Sequence, residues 1–131
     1  MGEKLTNRRA LLLILQYIDE ANRTGEEARN DFAVFVQTAT YYNAISMNIM
    51  TIGELVAQLS TNLKNLYTDI PWKQIIGMRN YFAHGYWVMT PADIWETYKS
   101  DLPALATVVN RILEETDAEL LDAIADGRTH T

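Results

Sequence analysis

Cysteine is absent from the 131 residues. No disulfide framework and no thiolate metal site can be built, and nothing points to an oxidising compartment. Proline and glycine are scarce, three and six respectively, which excludes collagen-like and Pro/Gly-rich disordered classes. Histidine occurs only as His84 and His130, so imidazole chemistry rests on very few side chains. Long apolar runs are missing too. The longest, Ala10 to Leu15, is far short of the ~20 residues that span a bilayer, and no signal-peptide pattern is present. The expectation is a cytoplasmic chain that needs no membrane.

Cationic charge is in deficit, with 11 Lys and Arg against 17 Asp and Glu and a net charge of −6. Phosphate backbones are normally held by surplus cations, which argues against broad, sequence-blind nucleic-acid binding. Any phosphate contact must be local. Between Asp69 and Asp93 stand Lys73, Arg79 and His84 and no carboxylate, so this island is where a phosphate is welcome.

What remains is a globular composition, 48% apolar and 21% charged, in a length that suits one domain. Residues 1–131 are read as that domain, with a frayed tail after about residue 127. Period-two alternation is nowhere sustained, whereas apolar residues recur by threes and fours. Leu11, Ile14, Leu15 and Ile18 mark a first helix, capped at Thr6 or Asn7 and stopped between Asn22 and Gly25. Phe35, Ala39, Tyr42, Ile45, Ile49, Ile52, Val56, Leu59 and Leu63 form one stripe without an intervening proline, which predicts a single long helix from about Asn30 to about Ser60.

Pro71 suits a first helical turn, where its missing N–H costs nothing, and predicts a short helix from there towards His84, with Gly85 as its C-terminal cap. Thr90-Pro91-Ala92-Asp93 predicts another capped start, through Trp95 and Tyr98. Leu102, Leu105, Val109, Ile112, Leu120 and Ile124 predict the last helix. The expected fold is all-α, a bundle of about five helices around one long central helix, and each large apolar side chain buried contributes ~1.5–3 kcal/mol.

Arg79 and His84 are the residues that could carry chemistry. Cleaving an RNA phosphodiester without a metal needs a base for the 2′-OH, an acid for the 5′-oxygen and a cation at the phosphate. Imidazole serves as acid or base near neutrality, and guanidinium offers two parallel donors to phosphate. Five residues apart is about 140° on an ideal helix, so the two side chains would meet only around a helix end. A single imidazole cannot easily be acid and base at once, and His130 sits in a tail of the kind that is usually mobile. A two-fold dimer would bring two copies of the pair into one cleft. Spacing alone favours a purely structural reading, with Gly85 as an ordinary cap, His84 favoured by the helix dipole and Arg79 paired with a surface carboxylate.

The run Ile70-Pro71-Trp72, Ile75-Ile76-Gly77-Met78-Arg79-Asn80 and His84-Gly85-Tyr86 resembles the Arg-x4-His-x-Tyr motif of HEPN-domain toxins, specifically the HepT-like family. Ile52-Gly53-Glu54, Ile94-Trp95 and Leu102-Pro103 resemble it too, so the similarity covers nearly the whole chain. The segment Asn80-Tyr81-Phe82-Ala83 is more aromatic than that family leads one to expect, while the motif itself is intact.

The resemblance implies a helical bundle, a homodimer whose cleft holds both motifs, and metal-independent endoribonuclease activity in a type VII toxin–antitoxin system, on RNA and not DNA and with no cofactor. It implies Arg79 and His84 as catalytic and Asn80 as a supporting residue. It also implies a minimal nucleotidyltransferase antitoxin that transfers AMP to the motif tyrosine, here Tyr86, where the added charge would repel substrate from Arg79 and His84. Glu54 either orients Arg79 or the imidazole or solvates an exposed face. The acidic group Glu114, Glu115, Asp117 and Glu119 reads as a solvated face, since nothing there has metal-ligand spacing. A different class of function is a non-catalytic helical subunit that presents a substrate or nucleotide to a nucleotidyltransferase, with Arg79 contacting phosphate only.

Overall fold

The computed structural model describes residues 5–73, 75–77, 90–117 and 120–121. Every regular element among them is helical, as the apolar periodicity predicts. Helix α1 (Asn7–Glu27) starts where Thr6 caps it, the hydroxyl accepting from the Arg9 N–H at 3.1 Å. It buries Ala10, Leu11, Ile14 and Ile18 on one face. The helix outruns the expected stop, because Gly25 lies inside it and the turn comes later, at Arg29 and Asn30 with φ of 60° and 49°. The Asn30 N–H returns to the Gly25 carbonyl at 2.8 Å and ties off the end.

The long central helix is interrupted. Helix α2 (Phe32–Gln37) is capped by Asp31, whose carboxylate accepts from the Ala33 and Val34 N–H groups, and helix α3 (Ala39–Ala57) follows after one extended residue, Thr38, at φ −113° and ψ 102°. The Asp31 cap fixes where α2 starts, whereas α3 starts at Thr38 without a side-chain cap, and the buried Phe35 ring beside the break packs on Tyr42 at 5.3 Å and Trp95 at 4.8 Å. Ile45, Ile49, Ile52 and Val56 of α3 are fully buried, while Ala39 is exposed. The main packing of the fold is α3 against α1, with the last long helix covering α1 from another side. Helix α4 (Thr61–Leu66) begins at Ser60, whose hydroxyl accepts from the Leu63 N–H.

Helix α5 (Pro91–Glu96) opens with the anticipated Thr90 cap, and Asp93 completes it by accepting the Thr90 N–H in return. It runs without a break through a π-helical turn, Thr97–Asp101, into helix α6 (Leu102–Glu115), where two separate helices were expected. Pro103 accounts for this. Its ring and missing N–H cannot follow an ordinary α-turn, and a wider turn, here with the Leu102 N–H bonded to the Thr97 carbonyl, makes room. The turn delivers Tyr98 onto α1, with its ring lying directly over Gly25 and its hydroxyl donating to Asn30 Oδ1 at 2.8 Å. Burial, and after it the charge of Glu26, raises the Tyr98 phenol above its ordinary pKa and keeps that donor protonated. Thr116, at φ −126° and ψ 118°, ends α6. In the following segment Leu121 is buried and Leu120 is 47% exposed, so the expected single stripe through Leu120 is shifted by one residue. Ile124, His130 and the tail lie outside the described residues.

Candidate functional site

Of the residues singled out for chemistry, Arg79, Asn80, His84 and Tyr86 lie outside the described residues, as do Phe82 and Gly85. Glu54 is exposed on α3, next to the buried Gly53. The structure therefore defines the mount of the motif, residues 60–73 and 75–77, and the elements packed against it.

Chain direction is set first at α4. Its C-cap is Tyr67, whose N–H bonds to the Lys64 carbonyl at 3.2 Å. A turn follows in which the Ile70 N–H reaches the Tyr67 carbonyl at 3.2 Å. Trp72 then folds back over this turn, its indole N–H donating to the Lys64 carbonyl at 3.2 Å and the Tyr67 carbonyl at 3.0 Å. Each of these carbonyls already accepts a backbone N–H, so the indole takes up the second lone pair of both oxygens. Ile70 is buried, and the Ile75 N–H bonds to the Pro71 carbonyl at 3.1 Å. Residues 72–73 and 75–77 are helical, as Pro71 predicts.

Tyr67 fastens the mount to α6. Its hydroxyl donates to Glu115 Oε1 at 3.1 Å and lies 3.2 Å from Thr116 Oγ1, and the Arg111 guanidinium sits 5.2 Å from its ring centroid. Arg111 also reaches both Asp69 oxygens at 3.3 Å. Glu114, Glu115 and Asp117 are exposed, as the reading of a solvated face has it, and Glu115 in addition accepts the Tyr67 hydroxyl. Neither Tyr67 nor Arg111 was singled out by the sequence. An Arg four residues before a Glu reads as an intrahelical pair, and only the tertiary fold places a tyrosine from elsewhere between them.

Beside the mount lies a small groove of about 160 Å³ lined by Ile70, Pro71, Ile75, Asp101, Ala104, Leu105 and Val108. Asp101, on the π-turn, is the one charged group among the described residues that line it. Partial burial, and then the nearby Glu96, raise its carboxyl above the usual aspartate range, and a hydrogen bond with Thr97 opposes this. Among the described residues no three His, Cys, Asp or Glu side chains group as metal ligands, and no helix is long and apolar enough to cross a membrane.

A family model described as ribonuclease HepT-like matches residues 9–112. That range takes in nearly all of α1, α2 to α5, the mount, the whole Arg-x4-His-x-Tyr motif and most of α6. The chain belongs to the HepT-like ribonuclease family. Among its relatives is a protein of Caldanaerobacter subterraneus subsp. tengcongensis named "Putative RNase", 32% identical over 84 residues that cover 64% of this chain and 75% of that one. One from Methanocaldococcus jannaschii, also named "Putative RNase", is 25% identical over 104 residues, 79% of this chain and 88% of that one. A Thermococcus cleftensis protein named "Probable ribonuclease HepT" is 31% identical over 62 residues, 47% of this chain and 56% of that one. No solved structure gives a significant match.

Proposed function

We propose that the protein is a metal-independent endoribonuclease of the toxin type, working in the cytoplasm as a homodimer of one-domain subunits. The observation that carries the reading is that Arg79, His84 and Tyr86 all fall inside the stretch matched by the ribonuclease family model. In this reading Arg79 holds the scissile phosphate and stabilises the charge that develops on it. His84 of one subunit takes the 2′-OH proton, and the second subunit's copy protonates the departing 5′-oxygen, so each motif is half a site. Asn80 supports the pair by hydrogen bonding. Glu54 is the open member of the set, and its exposure on α3 fits either an orienting contact or a solvated face.

Tyr86 is the regulatory handle in the same proposal. A nucleotidyltransferase antitoxin would transfer AMP from ATP to the Tyr86 oxygen, releasing pyrophosphate, and the added phosphate would oppose RNA binding at Arg79 and His84. Expression of the wild-type chain should arrest growth, and Arg79→Ala or His84→Ala should abolish the arrest while folding normally. Co-expression with the nucleotidyltransferase should add AMP-sized mass increments that vanish in Tyr86→Phe. Harmless expression of the wild type would favour the non-catalytic subunit instead.

A further inference from the structure

We propose that the polar pocket between the C-terminal end of α1 and the π-turn holds one unpaired guanine base of an RNA strand, read through Glu26, Asn30 and Lys99. The choice of RNA as the source of the base rests on the ribonuclease reading above.

The pocket measures about 250 Å³ and is lined by Asn22, Glu26, Asn30, Tyr98, Lys99 and Pro103. Drug-sized ligands fill pockets of roughly 300–1,000 Å³, so this one suits a single ring system. Two elements build it. On α1, Asn22 and Glu26 stand four residues apart and share a face. Asn30 follows in the left-handed turn, at φ 49°, and its side chain is set by the buried Tyr98, whose hydroxyl donates to Oδ1 at 2.8 Å. With its oxygen engaged, the Asn30 amide offers its NH₂ group as a donor. From the other element the π-turn presents Lys99, its ammonium 5.9 Å from the centroids of the Trp95 and Tyr98 rings.

Glu26 and Lys99 carry opposite charges and line one pocket, yet neither has an ion-pair partner among the described residues. A carboxylate facing amide and ammonium donors matches a ligand edge of two adjacent N–H groups beside an acceptor oxygen. Guanine alone of the four RNA bases has that edge, with N1–H and the 2-amino group side by side and O6 next to them. Adenine, cytosine and uracil each lack at least one of the two donors. In an unpaired strand these edges are open to side chains. Phosphate does not suit the pocket. Glu27, Asp31 and Glu96 stand within two residues of lining positions and repel it, so recognition falls to the uncharged base. The π-turn also carries Asp101, which lines the groove beside the mount. A strand held here by one base therefore lies along the element that adjoins the mount.

The test uses the full chain and 2′-O-methyl pentanucleotides, which cannot be cut through the 2′-OH, so that binding is read without cleavage. Titration calorimetry should show UUGUU bound at least ~10-fold more tightly than UUAUU, UUCUU and UUUUU, the discrimination expected of one bidentate contact to a base. Glu26→Gln keeps the shape and loses the second acceptor, and should abolish the preference. Lys99→Met should reduce it. Both positions are exposed, and circular dichroism melts confirm that the variants fold. Equal affinity of the wild type for the four strands, or a guanine preference that survives Glu26→Gln, overturns the proposal. Cleavage of unmodified RNA by the same preparations reports on the ribonuclease reading separately. A protein that cuts RNA but binds the four strands equally loses the pocket and keeps that reading; one that binds UUGUU selectively but cuts no RNA keeps the pocket and loses the reading.

Discussion

Gly25→Ala should destabilise this protein even though it replaces glycine by the best helix former inside a helix. Adding a methyl there within α1 gains about 1 kcal/mol of helix propensity. The structure sets a larger cost against it. A Cβ at position 25 would overlap Tyr98, with the phenolic oxygen 1.7 Å away and the ring carbon beneath it 2.4 Å away. The ring cannot simply swing clear, since Tyr98 is 4% exposed and packs on Trp95 at 5.2 Å. Forcing it aside should cost ~1–3 kcal/mol of overpacking, and losing its bond to Asn30 about 1 kcal/mol more. The net expectation is a loss of ~1–3 kcal/mol, or roughly 4–12 °C in Tm for a chain of this size. Urea and thermal melts followed by circular dichroism measure it. The same change in a Tyr98→Leu background should become neutral or stabilising, because the obstructing atoms are gone. Equal destabilisation in both backgrounds, or a stabilised Gly25→Ala single variant, would refute the packing argument.

Asn7→Ala should cost about 2–4 kcal/mol, since it removes a buried amide that bonds Ser60 on both sides and the Leu121 carbonyl and leaves a buried N–H behind; hydrogen exchange should rise first at the Ser60 corner. Tyr67→Phe should lose ~1–2 kcal/mol through the Glu115 and Thr116 contacts, checked by urea melts. For Asp101 the sign follows from its raised pKa: the folded state binds the proton more tightly, so stability falls as pH rises from the ordinary aspartate pKa of about 4 upwards. Asp101→Asn should therefore match the wild type in acid and exceed it at neutral pH, and a gap that widens on acidification would contradict this.

Local capping chemistry and apolar periodicity made most of the fold legible. Thr6 and Thr90-Pro91 are caps whose side chains act within three residues, and the α1, α3 and α6 stripes need only one buried face each. Three features were not legible, each for its own reason. The break at Thr38 is held by Phe35 packing on Trp95, sixty positions away. Leu121 faces the core in place of Leu120 because Thr116 ends α6 and resets the phase. The π-turn did have a signal, Pro103 two residues into an apolar stripe, but the sequence alone does not say whether such a proline starts a helix or widens one. In the candidate site, Arg79, Asn80, His84 and Tyr86 were legible as a motif. Its mount was not, because Tyr67 and Arg111 act through tertiary contacts and the Trp72 donor acts across a turn with no glycine to announce it.

The central claim meets its most direct test in cleavage of total cellular RNA by the purified chain with excess chelator present, scored by counting new ends. The account predicts cleavage by the wild type and a loss of ~10²–10⁴-fold in rate in folded, dimeric His84→Ala. Heterodimers of wild-type with His84→Ala subunits should be as slow as the His84→Ala homodimer, because the shared site needs both copies of His84 as acid and base. Wild-type-level cleavage by His84→Ala, or a wild type that is monomeric and active, would contradict it.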